Sequence, residues 1–352
     1  MIFPTTQETT FLLAIFYLVC LGSWANTYKL TGSKWRFELY YVDFAIGVLA
    51  AALIAAFTLG SMGPELSFLD NLAIAGKRQM AYGMAAGVVF NLANLLLVGS
   101  ISISGMAVAY PVAMGLAMTI GVAVSYLGDK TGNTALLFGG SGLALGAIVF
   151  AALASMAAAR FRGTVAAAAA TVPKGNVKAS KAKGGGKGVL VALIAGLLMA
   201  GVYPLLGMAR AGGSEIGLGP YALAVFAGIG VFLSTLVFNL YFINLPIEGA
   251  PIELGDYVKG AFSHHALGLL GGAIWLAGSL AHWITSSVPS EIGIGAARGS
   301  AFVHGAILLA MLWGLLVWRE FRGAGGAAAL YIAVALLMMT AGAAMVSLAP
   351  GL

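Results

Sequence analysis

The sequence predicts an all-α polytopic membrane protein: ten transmembrane helices arranged as two inverted five-helix repeats. Three observations carry this. Of 352 residues, 61% are hydrophobic and 9% charged, against roughly 25% charged in a soluble domain. A soluble fold this apolar would lack the charge to cover its surface, whereas a bilayer removes that demand. Apolar runs of about 20 residues, the length that crosses the hydrocarbon, recur ten times, and a basic Ala- and Gly-rich stretch divides them five and five.

The runs fall near 11–30, 40–60, 81–99, 104–127, 134–157, 189–209, 219–243, 264–286, 293–317 and 327–348. Only Gly99-Ser100-Ile101-Ser102-Ile103-Ser104 separates the third from the fourth, so the pair also reads as one broken helix. Ser286-Ser287-Val288-Pro289-Ser290-Glu291 is a clear turn between the eighth and ninth. The predicted organisation is an N-terminal repeat over 1–157, a basic linker over 158–188 and a C-terminal repeat over 189–352. Gly makes up 50 residues. Between membrane helices small residues let backbones approach closely, and Gly83/Gly87, Gly142/Gly146 and Gly268/Gly272 have the required four-residue spacing.

Lys and Arg in the loops set the orientation. With the N-terminus outside, the cytoplasmic loops hold Lys29, Lys34 and Arg36, seven basic residues from Arg160 to Lys187, then Lys259, Arg319 and Arg322. These 13 stand against four outside, Lys77, Arg78, Lys130 and Arg210. The expectation is a multi-pass protein of the cell membrane with both termini outside and the central loop cytoplasmic. The N-terminal ten residues carry no Lys or Arg, so they lack the basic region of a signal peptide and the first span is expected to be retained. The net charge of +6 is topological and does not mark a nucleic-acid partner. The linker reads as a flexible solvated tether, with contact to anionic lipid heads as the second reading. Its Gly184-Gly185-Gly186-Lys187-Gly188 fails the P-loop pattern, because position 181 is Lys and no Ser or Thr follows Lys187. ATP binding is rejected, and no cofactor is expected. A single cysteine, Cys20, excludes a disulfide framework, and the four His residues are not spaced as a metal site.

Five is an odd number, so the second repeat enters the membrane from the opposite side. Gly105-Met-Ala-Val-Ala-Tyr110-Pro111, leading an apolar run to Tyr126, matches Ile294-Gly-Ala-Ala-Arg298-Gly-Ser300, leading one to Trp318. Gly87 to Asn94 likewise matches Gly272 to Ser279. Inverted repeats are a common plan of carriers, with the solute bound near the midplane between halves.

Leu21-Gly22-Ser23-Trp24, Tyr41-Val42-Asp43-Phe44 and the run from Leu49 to Gly60 resemble the opening of the plant ureide permeases and their bacterial relatives. Gly83-Met-Ala-Ala-Gly87-Val-Val-Phe-Asn91-Leu-Ala-Asn94-Leu95 is similar to that family's third span, and Ser125-Tyr126-Leu127-Gly128-Asp129 ends the fourth comparably. Trp35-Arg36-Phe37-Glu38 also resembles the rhamnose–proton symporters. Both families sit in the drug/metabolite transporter superfamily, whose members have ten spans in two inverted halves. The resemblance is strongest over the first 150 residues. It implies secondary active uptake of a small polar solute, usually with protons. The plant permeases carry a nucleotide-binding-like motif in the central loop, which this chain lacks.

Polar groups inside a bilayer need a partner or a function. Arg298, a few residues into the ninth span, reads as an anchor for an anionic or carbonyl-rich solute, or equally as a snorkelling side chain or a partner of Glu291. Asn91 and Asn94, three apart on one helix face, suit ureides, nucleobases or sugars, because an amide both donates and accepts; the plainer reading is an interhelical hydrogen bond. Asn26, beside Trp24, and Tyr110 before Pro111 are similar candidates. Tyr203-Pro204 sits mid-span, where proline frees a carbonyl or simply kinks the helix. Trp275 and His282 are seven apart and share a face, where Trp275 offers a stacking surface. Trp283 reads as interfacial belt, and His264-His265 as exposed. For protons the candidates are Glu38, Asp43, His282 and His304, with a salt bridge to nearby basic residues as the plainer role of the two carboxylates. The substrate-binding set is therefore Trp24, Asn26, Asn91, Asn94, Tyr110, Tyr203, Trp275 and Arg298.

The leading expectation is an uptake carrier for a neutral, hydrogen-bond-rich solute (ureide, nucleobase or sugar), acting as monomer or homodimer. Export of amino acids or drug-like metabolites is the alternative, and it predicts a cavity with more aromatics and an acidic counter-ion, with outward counterflow in vesicles. An enzyme would need a clustered His/Asp/Glu set near one interface, and a channel would need ring-forming filter residues; the sequence contains neither.

Overall fold

The computed structural model describes residues 1–32, 35–130, 132–170, 185–212 and 216–349. Thirteen helices run in chain order. They are α1 Gln7–Ser23, α2 Asn26–Leu30, α3 Phe37–Phe57, α4 Phe68–Ile74, α5 Lys77–Ser104, α6 Met106–Asp129, α7 Thr134–Ala170, α8 Gly185–Arg210, α9 Pro220–Asn244, α10 Gly255–Val258, α11 Phe262–Thr285, α12 Ala296–Leu312 and α13 Gly326–Leu348. A π turn, Trp313–Val317, prolongs α12. Among the described residues nine helices are long and apolar enough to cross a membrane, and α1, at 17 residues, falls just short of that length. Counted with α1, they lie five and five on either side of 171–184. Extended β pairing among the described residues is limited to one isolated bridge, Ala75 to Ile216.

The outer faces explain the composition. Ile54, Val237 and Leu337 are 65%, 66% and 70% exposed, which is stable only where the surrounding medium is itself apolar. The protein is a multi-pass membrane protein. Of the short helices outside the spans, α4 carries a capping box: the Ser67 side chain accepts from the Asp70 amide while Asp70 accepts from the Ser67 amide.

Two boundaries differ from the sequence reading. The Ser-rich stretch 100–104 is helical, and the break between α5 and α6 is the single residue Gly105, at φ +84°. Glycine alone takes that conformation without steric cost. The linker is shorter than predicted, because α7 runs on to Ala170 and α8 begins at Gly185. Ala is the best helix former, so the Ala-rich run after Thr164 prolongs the helix. The remainder of that linker, with Lys174, Lys178, Lys181 and Lys183, lies outside the described residues, as does Lys34.

The packing of the helices repeats itself. α3 packs on α11 as α9 packs on α5; α5 on α8 as α11 on α1; α6 on α8 as α12 on α1; and α6 on α7 as α12 on α13. The remaining large contacts join α3 with α9, α7 with α13 and α6 with α12. Glycines make the closest of these contacts. Gly47 backs onto the Leu269 carbonyl and Gly272 onto that of Phe44, where α3 meets α11. Gly230 backs onto the Met84 carbonyl and Gly87 onto that of Ala227, where α9 meets α5. In each case the contacted carbonyl lies three residues before the glycine of the partnering pair. Gly87 and Gly272 thus serve as expected, whereas Gly142 faces open space and Gly146 meets only the Met338 side chain.

Candidate solute site

A cavity of about 1070 Å³ lies between the two groups of helices, with walls from α1, α5 and α6 on one side and α8, α9, α11 and α12 on the other. That is at the upper end of small-molecule sites, roughly 300–1,000 Å³. It runs inward from the α6–α7 and α11–α12 connections, where Ser125, Ser286 and Ser290 are exposed, and ends among Trp24, Phe90, Tyr110 and Trp275.

Phe90 and Trp275 form its floor, with ring centroids 4.0 Å apart and planes 22° from parallel. Each stands three residues after the glycine, Gly87 or Gly272, that brings its helix against a neighbouring backbone. Trp24 is 1% exposed and leans on Phe44 at 5.1 Å. Tyr110 donates to the Leu21 carbonyl at 2.8 Å, leaving its ring as wall. Polar atoms reach the cavity from Tyr17, Ser279, Ser300, His282 and His304. His282 meets Tyr17 edge-on at 5.1 Å, and its Nδ1 is buried with no hydrogen-bond partner. His304 Nδ1 lies 3.1 Å from Ser347 Oγ. No Asp, Glu, Lys or Arg is among the described lining residues, so the acidic counter-ion that the exporter reading required is not in the wall.

Of the sequence candidates, Trp24, Tyr110, Tyr203, Trp275, His282 and His304 line the cavity. Asn91 and Asn94 do not. Asn91 donates to Ser234 Oγ at 2.8 Å and accepts from Thr235 Oγ1 at 3.2 Å, and Asn94 donates to the Tyr41 hydroxyl at 3.1 Å. Both side chains are fully buried and hold α5 to α9 and α3, where a lone amide facing lipid would be costly. Asn26 lies below the floor, accepting from Trp318 Nε1 at 2.6 Å. Arg298 is exposed in the first turn of α12, outside the cavity lining; the long side chain finds water at the helix end. Trp283, read as belt, is 6% exposed and lines the cavity.

The two carboxylates also lie away from the cavity. Glu38 is fully buried in a two-pronged pair with Arg36, Nη2 to Oε1 at 2.7 Å and Nε to Oε2 at 3.1 Å. Asp43, 3% exposed, accepts from the Tyr257 hydroxyl at 2.6 Å and lies 2.9 Å from His265 Nδ1. His265 is therefore not the free side chain expected at a span entrance. Burial, the bond to Asp43 and its charge push the Tyr257 phenol above its ordinary value, so Tyr257 serves as a donor. His264 stacks on Trp35 at 4.7 Å. Sequence reasoning missed Phe90, Tyr17 and Ser279 in the cavity and Tyr257 beside Asp43. Phe90 was within reach, since it stands to Gly87 as Trp275 stands to Gly272.

Comparison with known proteins points the same way. A family model described as Ureide permease matches residues 40–184. The chain is similar to ureide permeases. Ureide permease 3 of Arabidopsis thaliana is 25% identical over 256 residues, covering 69% of this chain and 74% of that protein. Ureide permease 1 of the same plant is 30% identical over 136 residues, 38% of this chain and 35% of the relative. Probable ureide permease A3 of Vigna unguiculata is 31% identical over 142 residues, 39% and 37% respectively; against these two the chain spans little more than a third of the relative. Apolar helices and permease relatives together indicate a transporter rather than an enzyme.

Proposed function

We propose that the protein is a carrier that takes up a small, neutral, planar solute of the ureide class by alternating access around the cavity. The observation that carries this reading is the cavity itself, with aromatic walls and no charged lining group, set between the two sets of five helices. A ureide or nucleobase offers a flat face to Phe90, Trp275 and Trp24. Its amide edges suit the hydroxyls and imidazoles higher in the cavity, which donate and accept. The names of the relatives favour ureides within that class.

The reciprocal packing of α1–α7 and α8–α13 supports an inverted repeat. The Phe90–Trp275 stack lies at its centre, joining equivalent positions. Gly105 and Gly295, which open α6 and α12, share one backbone conformation, φ +84° with ψ 167° and φ +77° with ψ 156°. The distribution of Lys and Arg favours a cytoplasmic linker, which puts the cavity mouth outside. We place proton coupling at Asp43, the buried carboxylate that accepts from the Tyr257 hydroxyl and lies against the His265 imidazole.

The test is uptake of allantoin, uracil and a hexose into proteoliposomes, with and without a pH gradient. Saturable uptake of allantoin or uracil is expected; transport of none of the three would overturn the carrier reading.

A further inference from the structure

On the face opposite the cavity mouth one carboxylate joins three helices. Glu320 follows the π turn of α12, after Arg319 in a left-handed conformation (φ +49°). Its Oε1 accepts from Lys29 Nζ at 2.8 Å and from the Met106 amide at 2.9 Å, and its Oε2 accepts from the Ala107 amide at 2.9 Å. Those two amides are first-turn donors of α6, unpaired within the helix and at the positive end of its dipole. One side chain 9% exposed thus ties the end of α12 to the start of α6 and to α2. Gly105 lets it sit there, because a Cβ at that position would strike the carboxylate.

Two indoles flank the tie. Lys29 Nζ lies 5.4 Å over the Trp318 ring, whose Nε1 donates to Asn26, and Trp313 Nε1 donates to Ser23 Oγ at 2.9 Å. All these bonds join the linker-side ends of α1–α2, α6 and α12. The same helices diverge to form the cavity toward the other face. A carrier that opens on the linker side has to separate them.

We infer that Glu320 is the latch of the linker-side gate: its bonds to Lys29 and to the α6 amides hold the gate shut while the cavity faces the other way. Charge-assisted bonds are about twice as strong as neutral ones, and breaking them strands a carboxylate in a half-dry site, so the closed gate is the lower state until something compensates. A ligand shifts such an equilibrium only by its differential affinity for the two states. Solute closing the mouth side supplies that difference.

The inference rests on the carrier reading only in requiring a cavity that opens alternately to the two faces. Its test needs no solute, so absence of uptake and failure of the latch are distinguishable. In a Cys20→Ala background, Ser23→Cys reports the gate from the linker face and Ser300→Cys reports the cavity from the mouth face. An impermeant maleimide is applied to vesicles of each sidedness. Glu320→Ala is expected to raise labelling at position 23 about tenfold, as for loss of charged bonds in a two-state gate, and to lower it at position 300. Glu320→Gln, which keeps acceptors for the amides, falls between. Lys29→Met removes only the ion pair and gives a smaller shift in the same sense, a second route should Glu320→Ala not fold. Unchanged labelling at both positions in a monodisperse variant would overturn the latch. A rise at both would overturn it too, because it reports general loosening.

Discussion

Phe90 and Trp275 stack at 4.0 Å, each three residues beyond a glycine buried against a neighbouring backbone. An aromatic pair in this arrangement is worth about 0.5–1.5 kcal/mol beyond its burial. A flat solute has to add to the stack or replace one ring in it. Replacing Trp275 by Ala is expected to raise the KM for uptake roughly tenfold, a change of about 1.4 kcal/mol, whereas Trp275→Phe retains most of the affinity. Saturation curves in proteoliposomes, read beside the unfolding temperature of each variant, separate loss of binding from loss of fold.

Asn91 is expected to behave in the opposite way. Its amide is used up by Ser234 and Thr235, and hydrogen bonds between membrane helices average about 0.6 kcal/mol, up to about 1.7. Asn91→Ala should lower the unfolding temperature in detergent and leave KM unchanged. A shifted KM at unchanged stability would return Asn91 to the solute site.

The glycines divide into those that hold helices together and those that do not. At Gly87 and Gly272 a side chain would run into the carbonyls of Ala227 and Phe44, while Gly142 has open space around it. Gly87→Val and Gly272→Val should each abolish the monodisperse peak in size-exclusion chromatography. Gly142→Val, with the same loss of flexibility, should preserve it.

If Asp43 carries the proton, Asp43→Asn should abolish the response of uptake to a pH gradient while solute exchange across the membrane persists. Tyr257, held in its protonated form by burial and by Asp43, contributes a hydrogen bond and no titration. The effect of Tyr257→Phe on uptake should therefore be the same at about pH 6 and about pH 8, both well below a tyrosine's ordinary value. Loss of pH response in Tyr257→Phe but not in Asp43→Asn would move the coupling site.

The helices were legible because a bilayer imposes one strong rule, about 20 apolar residues per crossing, and nine helices among the described residues obey it. Helix ends were less legible. Ala167 and Ala168 read as linker because they stand among basic residues, yet nothing in an alanine run stops a helix. In the cavity, Trp24, Tyr110 and Trp275 were found because large aromatics in a span are conspicuous. Asn91, Asn94 and Asn26 read as solute-binding, and none of them lines the cavity. A buried amide bonded to a neighbouring helix and one facing a solute have the same local sequence, and only the partner (Thr235, Tyr41 or Trp318) decides. Glu320, which falls between the ninth and tenth predicted spans, lies beneath the floor, bonded to the first amides of α6.

The length of α7 has a consequence for the membrane itself. Its 37 residues make a rod of about 55 Å at ~1.5 Å per residue, whereas the 17 residues of α1 reach only about 26 Å by the same rise, and the hydrocarbon layer is about 30 Å thick. The spans are therefore of unequal length: α1 is shorter than the hydrocarbon layer, and α7 runs past its own apolar stretch into a segment that carries Arg160 and Arg162. Mismatch costs fractions of a kcal/mol per Å, so acyl-chain length is expected to act on the protein as a mechanical input, one that bears hardest on α1, the helix that leads into Lys29 and its bond to Glu320.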